Sequence, residues 1–582
     1  MFLRRAALHT WRYFAEYSTA EHNWMIPDNV QEEPAAIAAR VSPTNIGLLL
    51  NARQAACEFG YLTVPEFVEQ TGRTLAAVSS LRKHHGHVLN WYDTRTLEAM
   101  APLFVSSVDS GNLLASLWTL QQGCLDRLRQ PVVQPCLAEG FLDHLRVLAD
   151  GARFLKKHIS ACERQRNTDD WLSSLLGLPV TLFEETREAL DQSQRTKPMQ
   201  WFAGEAKSRI EEIQRAVRKY APWLAPEFAS LREDSGLNIK LMDSLALQQV
   251  PDFIDQLLTR SGWTGVSSDH PKGSVHQTFR DQLLEARENT VRLIEELRRL
   301  AELSGELADG MDFGVLLNER RNLVSVGMDV ETHHLHGACY DLLGTESRTA
   351  VFVAIAKEDI PQESWFLLGR THTLDGGLPV LLSWTGTMFE YLMPSLWLRT
   401  YPNTLLERSR TAAVRSQQAY AARRGVPWGI SESAYFKLDD SGNYQYYAFG
   451  LPHLALRKRE SKALVISPYS TFLALNTDPE GALRNLRSMA GLGWFGSCGF
   501  YEAADFTGTR RRFWRTKPQL VKCWMAHHQG MSLLALANFL NDSVVQEWFH
   551  ADRRVQATEL LLHEKPVAHV RRRDIPRRKA VA

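Results

Sequence analysis

The feature that most narrows the fold of this chain is a repeated texture. Amphipathic helical segments of moderate length alternate with loops crowded with Trp, Tyr, Asp and Asn. A helix reads from Ile46 to about Phe59. The next opens on Thr63-Val64-Pro65-Glu66, where Thr63 suits an N-cap, Pro65 the first turn and Glu66 a capping box. Its apolar positions Phe67, Val68, Leu75, Val78 and Leu81 share one face. Polar, aromatic loops follow at 87–93 and 107–112, and Asp109 or Ser110 suits the cap of the helix after them. Short helices with such loops are what an α/α toroid shows, its helices in two concentric rings and its loops meeting at one end. The predicted class is therefore all-α.

Around that toroid the texture changes. Residues 1–44 read as an irregular lead-in ending at Ser42-Pro43-Thr44. The barrel is assigned to 45–124 and 309–545. Between them, 125–308 is rich in Arg, Glu, Gln and Leu and poor in Gly, and reads as a helical insertion lobe. Its last stretch, 279–308, is a long amphipathic helix with Leu283, Leu284, Val291, Ile294, Leu297 and Leu300 near helical spacing; 200–222 is a second. A coiled-coil arm is the competing reading, but strict heptads are not sustained. Met311-Asp312-Phe313-Gly314 and Leu323-Val324-Ser325-Val326-Gly327 suggest a small β-hairpin region, with helices resuming near Tyr340. The segment 546–582 is a basic C-terminal tail, and 568–580 reads as a solvated end.

Composition removes several function classes. A formal net charge of +1 argues against nucleic acid as a partner. No run of 18 apolar residues is present, so no membrane span is expected. His9, Arg12 and Glu16 interrupt the N-terminus, and a secretory signal is not expected. Seven scattered cysteines without a CxxC suggest neither a zinc site nor a disulfide framework, and point to a reducing, cytoplasmic compartment. Phosphate-binding glycine loops and the G-x-S-x-G elbow are missing, and the adjacent His527 and His528 lack the spacing of a helical metal site. No metal or cofactor is expected. Sixteen Trp and fifteen Tyr have two readings: they fill a large core, or they offer flat faces to sugar rings.

Five polar–aromatic clusters carry the candidate chemistry. Tyr340-Asp341-Leu342-Leu343-Gly344-Thr345-Glu346-Ser347-Arg348 runs into an apolar helix; Glu346 and Arg348 are either an ion pair or an inward-facing carboxylate with a neighbour. In Trp384-Thr385-Gly386-Thr387-Met388-Phe389-Glu390-Tyr391, Glu390 sits in an apolar run and needs a partner or a ligand. In Trp428-Gly429-Ile430-Ser431-Glu432-Ser433-Ala434-Tyr435, small residues leave space beside Glu432 and the aromatics provide a platform. The alternative is a helix N-terminal acid. The fourth cluster holds Tyr501 and Glu502. The fifth holds His527, His528 and Gln529, the histidines being either donors to hydroxyls or satisfied core residues. Several acids in aromatic loops suit glycoside chemistry, where one carboxyl protonates the leaving oxygen and another acts as base or nucleophile.

These clusters, together with Ser42-Pro43-Thr44-Asn45-Ile46-Gly47-Leu48, Asn90-Trp91-Tyr92-Asp93-Thr94, Asp109-Ser110-Gly111-Asn112 and Met525-Ala526-His527-His528-Gln529-Gly530-Met531, resemble the central glucoamylase-like domain of cyclic β-1,2-glucan synthases, which is related to endo-β-1,2-glucanases. The match runs from about residue 10 to 545. It implies an (α/α)6 barrel acting on β-1,2-glucan by retaining transglycosylation, with Glu346 as acid/base and Glu432 as nucleophile. It further implies substrate contacts from Asp93, Asp109, Tyr340, Asp341, Trp384, Glu390, Tyr391, Trp428, Tyr435, Tyr501, Glu502, His527, His528 and Gln529. The family's synthases are membrane-anchored. Two departures bear on the acceptor. Gly344-Thr345 and Ser347 replace the residues usual around the Glu and Arg of that motif, and Ser497-Cys498 stands where an Arg commonly precedes Gly-Phe-Tyr-Glu. Ring closure and hydrolysis thus stay open as outcomes, with a non-catalytic glucan-binding module as a third reading.

Overall fold

The computed structural model describes residues 1–165, 168, 171–179, 181–192, 196–232, 245–260, 275–457, 463–507 and 517–565. The centre of the molecule is a set of helices that are apolar or small on every side. Helix α2 (Pro43–Phe59) is buried along almost its whole length, which is why its sequence shows no strong apolar stripe. It lies between α4 (Ser107–Arg127) and α11 (Ala526–Leu540). Backbones approach closely here. A Cβ on Gly47 of α2 would stand 2.6 Å from the Ser116 hydroxyl of α4. Helix α3 (Val64–Ser80) starts with the expected Thr63–Glu66 capping box and packs on α2 and on α6 (Val275–Asp309). Helix α7 (Arg348–Ala356) packs on α4, and α12 (Val544–His550) packs on α4 and α11.

Several expectations are corrected. Residues 1–44 are no irregular lead-in: α1 (Phe2–Tyr17) is a helix buried against α11 and α5 (Cys136–Leu148). Its burying residues, Leu3, Ala6, Ala7, Trp11 and Phe14, follow helical spacing. The long helix assigned to an insertion lobe, α6, buries its stripe Leu283, Leu293, Leu297 and Leu300 against α3 and α4, while Leu284 is exposed. The cap of α4 is Ser106 rather than Asp109 or Ser110. Within the segment assigned to a basic C-terminal tail, Trp548, Phe549, Leu561 and Leu562 are buried; the stretch 568–580, read as its solvated end, lies outside the described residues.

The molecule is mostly helical, and strands are more numerous than an all-α reading implies. They gather where chains enter the central helices. A five-stranded sheet runs in the order β7 (His334–Leu335), β6 (Gly327–Asp329), β5 (Ala99–Ser106), β4 (Asn90–Asp93), β3 (Arg40–Val41). A three-stranded sheet joins β2 (Ala35–Ala38), β1 (Asn29–Glu32) and β11 (Cys523–Met525). In β3, β5 and β11 the chain passes directly into α2, α4 and α11. The residues 311–327 include a short antiparallel pair, Leu317–Asn318 with Leu323–Val324. The entry strands hold the N-terminal ends of three central helices together. There the Thr44 hydroxyl donates to Asp109 at 2.6 Å, Asn112 donates to Thr44 at 3.1 Å, and Asn45 donates to Asp28 at 3.1 Å.

Gly111, in the first turn of α4, faces α7 so closely that an added Cβ would lie 2.4 Å from the Cβ of Ala350. On helix propensity alone Gly111→Ala gains about 1 kcal/mol. The contact predicts the opposite sign: a net loss of about 1–3 kcal/mol in denaturant unfolding from overpacking, and a refolded protein as stable as wild type would refute the packing account.

Candidate active site

At this end of the helices the structure brings four acids into one desolvated region. Glu346 lies in the turn before α7, half-buried, and its Oε2 has no hydrogen-bond partner. The neighbouring Arg348 is not its clamp. Arg348 is buried and donates to the carbonyls of Thr345, Glu390 and Tyr391 at 2.8, 2.9 and 2.6 Å, so it ties the Glu346 turn to the segment that follows Thr387. The ion-pair reading of these two residues gives way to a different arrangement: a guanidinium spent on backbone, and a carboxyl with one buried oxygen that no protein group satisfies.

Glu432 is the first residue of β8 (Glu432–Leu438), not a helix N-terminal acid. It is half-buried, and the Tyr446 hydroxyl on the paired strand β9 (Tyr444–Ala448) favours its charged form. The adjoining Ser431 hydroxyl accepts from the Phe389 N–H at 3.0 Å and from Tyr469 at 2.8 Å, which holds the start of β8 against α8 (Met388–Leu392). Burial pushes the Glu346 carboxyl up to about 8, with the charge of Glu390 adding to it. Burial likewise raises Glu432 well above the carboxylate range, helped by Glu346 and Glu390 and opposed by the Tyr446 hydroxyl. The Tyr340 hydroxyl is raised by burial and then by Glu346, Asp109 and Glu432, which places it among the three acids. Two carboxyls that repel each other in a dry cleft hold on to a shared proton, as acid/base pairs require.

The other predicted contacts divide into three groups. Asp109 belongs to the site: it accepts from Thr44 and from Asn90 at 3.0 Å, and its charge reaches Tyr340 and His527. Half-buried Trp384 lies beneath the Arg457 guanidinium, 5.4 Å from the ring centre. Half-buried Asp341 accepts from Arg321 at 3.1 Å and keeps its Oδ1 unpaired. Tyr435 and Tyr501 are half-buried, with hydroxyls donating to Gln445 at 2.6 Å and to Glu32 at 2.9 Å.

The second group works inside the protein, and the substrate-contact reading is corrected for it. Both Glu390 oxygens are taken by its own loop: Oε1 accepts from the Trp384 N–H, and Oε2 accepts from Ser383, Thr385 and Thr387. Glu390 is thus the capping-box acid of α8, buried because its donors come from four residues just before it. Tyr391 is in the core and donates to the Leu381 carbonyl at 2.7 Å. Trp428 packs in the core as well. Gln529 is buried, donating to the Phe500 carbonyl at 3.3 Å. Asp93 closes a turn, accepting from the N–H groups of Arg95 and Thr96 at 2.7 and 3.0 Å.

The third group supports the site from behind. Glu502 is only 2 % exposed and is bonded to His528 Nδ1 at 2.8 Å and to the Ala434 N–H at 3.1 Å. His528 stacks on Tyr469 with ring centres 3.7 Å apart and planes 9° from parallel. Tyr446 and Tyr469 were not singled out by the sequence. Tyr446 sits in Tyr444-Gln445-Tyr446-Tyr447, where the aromatic residues facing the cleft are indistinguishable from those facing away until the register with β8 is known.

The raised Glu346 has a consequence for stability. Its folded value exceeds its unfolded one, so its favourable contribution is complete below about 4.5 and is lost as pH rises towards about 8. Glu346→Gln removes that loss. Thermal unfolding across pH 5 to 9 is therefore expected to show the variant gaining on wild type as pH rises, and a difference independent of pH would contradict the burial of this carboxyl.

Comparisons with known proteins agree with this geometry. The family described as "Glycoamylase: Putative glucoamylase" matches residues 340–553, the stretch that holds Glu346, Glu432 and Glu502. The chain is 34% identical over 575 residues, 99% of its length, to the cyclic β-(1,2)-glucan synthase NdvB of Rhizobium meliloti (strain 1021), and spans 19% of that larger protein. Among solved structures it is similar to an endo-β-1,2-glucanase of Chitinophaga pinensis in complex with sophorotriose and glucose. The TM-score is 0.57 at 12% identity, with 96% of this chain and 97% of that one covered. An endo-β-1,2-glucanase of Talaromyces funiculosus in complex with sophorose gives a TM-score of 0.55 at 10% identity, covering 96% of this chain and 89% of that one. A glucoamylase-like protein of Bacteroides fragilis NCTC 9343 gives 0.54 at 13% identity, covering 97% and 95%. At such identities these structures speak to the fold alone. Residues 340–553 thus match a glucoamylase family model, and nearly the whole chain is similar to one segment of a cyclic β-(1,2)-glucan synthase.

Proposed function

We propose that this chain is a retaining enzyme acting on linear β-1,2-glucan, and that its outcome is transfer to a sugar hydroxyl, closing the chain into a ring. The carrying observation is the pair Glu346 and Glu432, two half-buried carboxyls in one cleft whose surroundings differ. Glu346 has an oxygen with no protein partner and holds its proton up to about 8. That suits the acid that protonates the departing glycosidic oxygen and then, as base, takes a proton from the acceptor. Burial, Glu346 and Glu390 raise Glu432, and the Tyr446 hydroxyl opposes them by favouring its charged form; the reading takes Glu346 to carry the proton and Glu432, once charged, to be the nucleophile. Attack by Glu432 at the anomeric carbon expels the leaving chain end as Glu346 protonates it. A hydroxyl of the same chain then displaces Glu432 while giving its proton to Glu346.

The likeness to a segment of a cyclic β-glucan synthase supports the ring-forming outcome; the likeness in fold to endo-β-1,2-glucanases favours hydrolysis as the second reading. The reading also takes the helices to close as an (α/α)6 toroid around the cleft, with Asp109, Tyr340, Asp341, Trp384, Tyr435, Tyr501 and His527 offered to the glucan. In the described residues no helix is long and apolar enough to cross a membrane. Within a larger synthase, other segments would supply the membrane anchorage.

Mass spectrometry of products from linear β-1,2-glucan tests the reading. A ring weighs one water less than the linear chain of equal length; short linear products mean hydrolysis, and an unchanged substrate refutes both. Glu346→Gln and Glu432→Gln are each expected to lower kcat by roughly 10²-fold or more. Full activity in Glu432→Gln would remove it as nucleophile.

A further inference from the structure

The face of the hairpin that carries Glu432 continues into a second concavity. In β9 the residues Tyr444, Tyr446 and Ala448 alternate onto one face. Their partners Leu438, Ala434 and Glu432 share it, because residues directly opposite in an antiparallel pair stand side by side. Glu432 and the two tyrosines thus belong to one surface. Tyr446 is 41% exposed on it, and Phe436 and Leu438 of β8 are 43% and 44% exposed. The rings of Phe436 and Tyr444 lie 6.0 Å apart, tilted by 45°. Aromatic and apolar groups gathered in this way, with polar groups around them, mark a contact surface.

At the far end of the hairpin lies a cavity of about 660 Å³, in the size range of ligand sites. Phe436, Leu438 and Tyr444 form one wall and Leu520 of β10 (Gln519–Val521) another. Glu33, in the turn between β1 and β2, and Lys522 close the third side. These walls are bonded to their surroundings. The Phe436 N–H donates to Asp505 at 3.1 Å and the Tyr444 N–H to Gln31 at 2.8 Å. The Tyr444 hydroxyl donates to the Glu33 carbonyl at 2.7 Å, and Gln31 donates to the Gly442 carbonyl at 3.1 Å. A groove between fixed strands loses little freedom when it is filled. Glu33 and Lys522 pair with each other at 2.7 Å, so their charges are matched at the rim. An aromatic floor with a polar, charge-matched rim suits a neutral molecule that has apolar C–H faces and many hydroxyls. That is a sugar chain rather than an anion or an acyl chain.

We propose that this groove holds a distant stretch of the same glucan chain that reacts at Glu432, as a second grip away from the bond being broken. The inference rests on the reading of the cleft as a β-1,2-glucan site. Phe436 follows Glu432 by four strand residues, a span of about 13 Å at the rise of a β-strand. The sugar whose linkage is cut does not extend that far, and only a chain running along Tyr446 and Tyr444 occupies both places. Two grips on one chain make the second contact intramolecular, so affinity rises with chain length without any added contact at the acids. For ring closure the consequence is selection by length. A chain long enough to fill the groove stays bound while its free end reaches the cleft, and a short one has only the cleft to hold it.

Calorimetric titration of the Glu346→Gln protein, in which turnover is blocked, tests the groove with two probes. One is polymeric linear β-1,2-glucan and the other is sophorotriose, which is short enough to sit in the cleft alone. Adding Phe436→Ser and Leu438→Ser to that background is expected to weaken the polymer roughly tenfold and to leave sophorotriose within about twofold. Both side chains are exposed, so the melting temperature should not move. Phe436→Tyr keeps the ring and is expected to bind the polymer as the parent does. Unchanged polymer binding in the double variant, equal weakening of polymer and trisaccharide, or a loss in Phe436→Tyr as large as in Phe436→Ser each overturns the proposal. A dimer that the double variant converts to monomer in sedimentation, with polymer binding unchanged, gives this face to a second copy of the chain and overturns it too. Polymer binding that depends on Phe436, with no turnover by wild type, keeps the groove and refutes the enzymatic reading. No binding of either probe refutes both.

Discussion

Everything in this structure turns on the cost of gathering carboxyls in a place with little water. Glu346, Glu432 and Glu502 cannot all be charged there, because each charge loses its hydration and repels the others. The protein meets that cost in three ways. Glu390 is surrounded by donors from its own loop. Glu502 is neutralised by retaining its proton against His528. Glu346 is left with a buried oxygen that no protein group satisfies. An unsatisfied buried acceptor is expensive in a fold and useful in a cleft, where a substrate hydroxyl or a glycosidic oxygen supplies what is missing.

The helices serve this arrangement by where they begin. Short strands feed α2, α4 and α11; Thr44, Asp109 and Asn112 tie the first turns of α2 and α4 together, while Asp28 accepts from Asn45 of α2 and from the Ala526 N–H of α11. Helix N-termini carry partial positive charge and unpaired N–H groups, an environment that tolerates acids better than any other part of a helical protein. Small residues at the crossings, such as Gly47 and Gly111, let the helices come near enough for these ends to converge.

How far the sequence could be read depended on the range of the physics involved. Capping at Thr63 and Glu66 is decided within one turn of chain, and it is present as expected. The acids of the cleft stood out because charged residues among apolar and aromatic neighbours need a reason to be there. Their individual uses did not. Glu390 and Glu346 each looked like a candidate, yet one is enclosed by donors and the other is not. That difference comes from how the 383–387 loop folds back, which no local pattern announces. The lead-in and the long helix α6 were misplaced for a similar reason. An amphipathic stripe says that a helix must bury one face but not against which partner.

What the sequence determined by itself was therefore local and chemical: which segments form helices, and which motifs hold acids, aromatics and paired histidines. Through its motifs it also carried the likeness to a glucan-processing family. The tertiary structure alone decided which of these groups touch. Tyr446 comes near His528 only because the hairpin pairs it with Ala434 and sets it against the first turn of α11, 82 residues further along the chain at His528. A side chain's role in such a cleft depends on who its neighbours are within about 3 Å, and that is settled by packing between distant segments rather than by the order of residues.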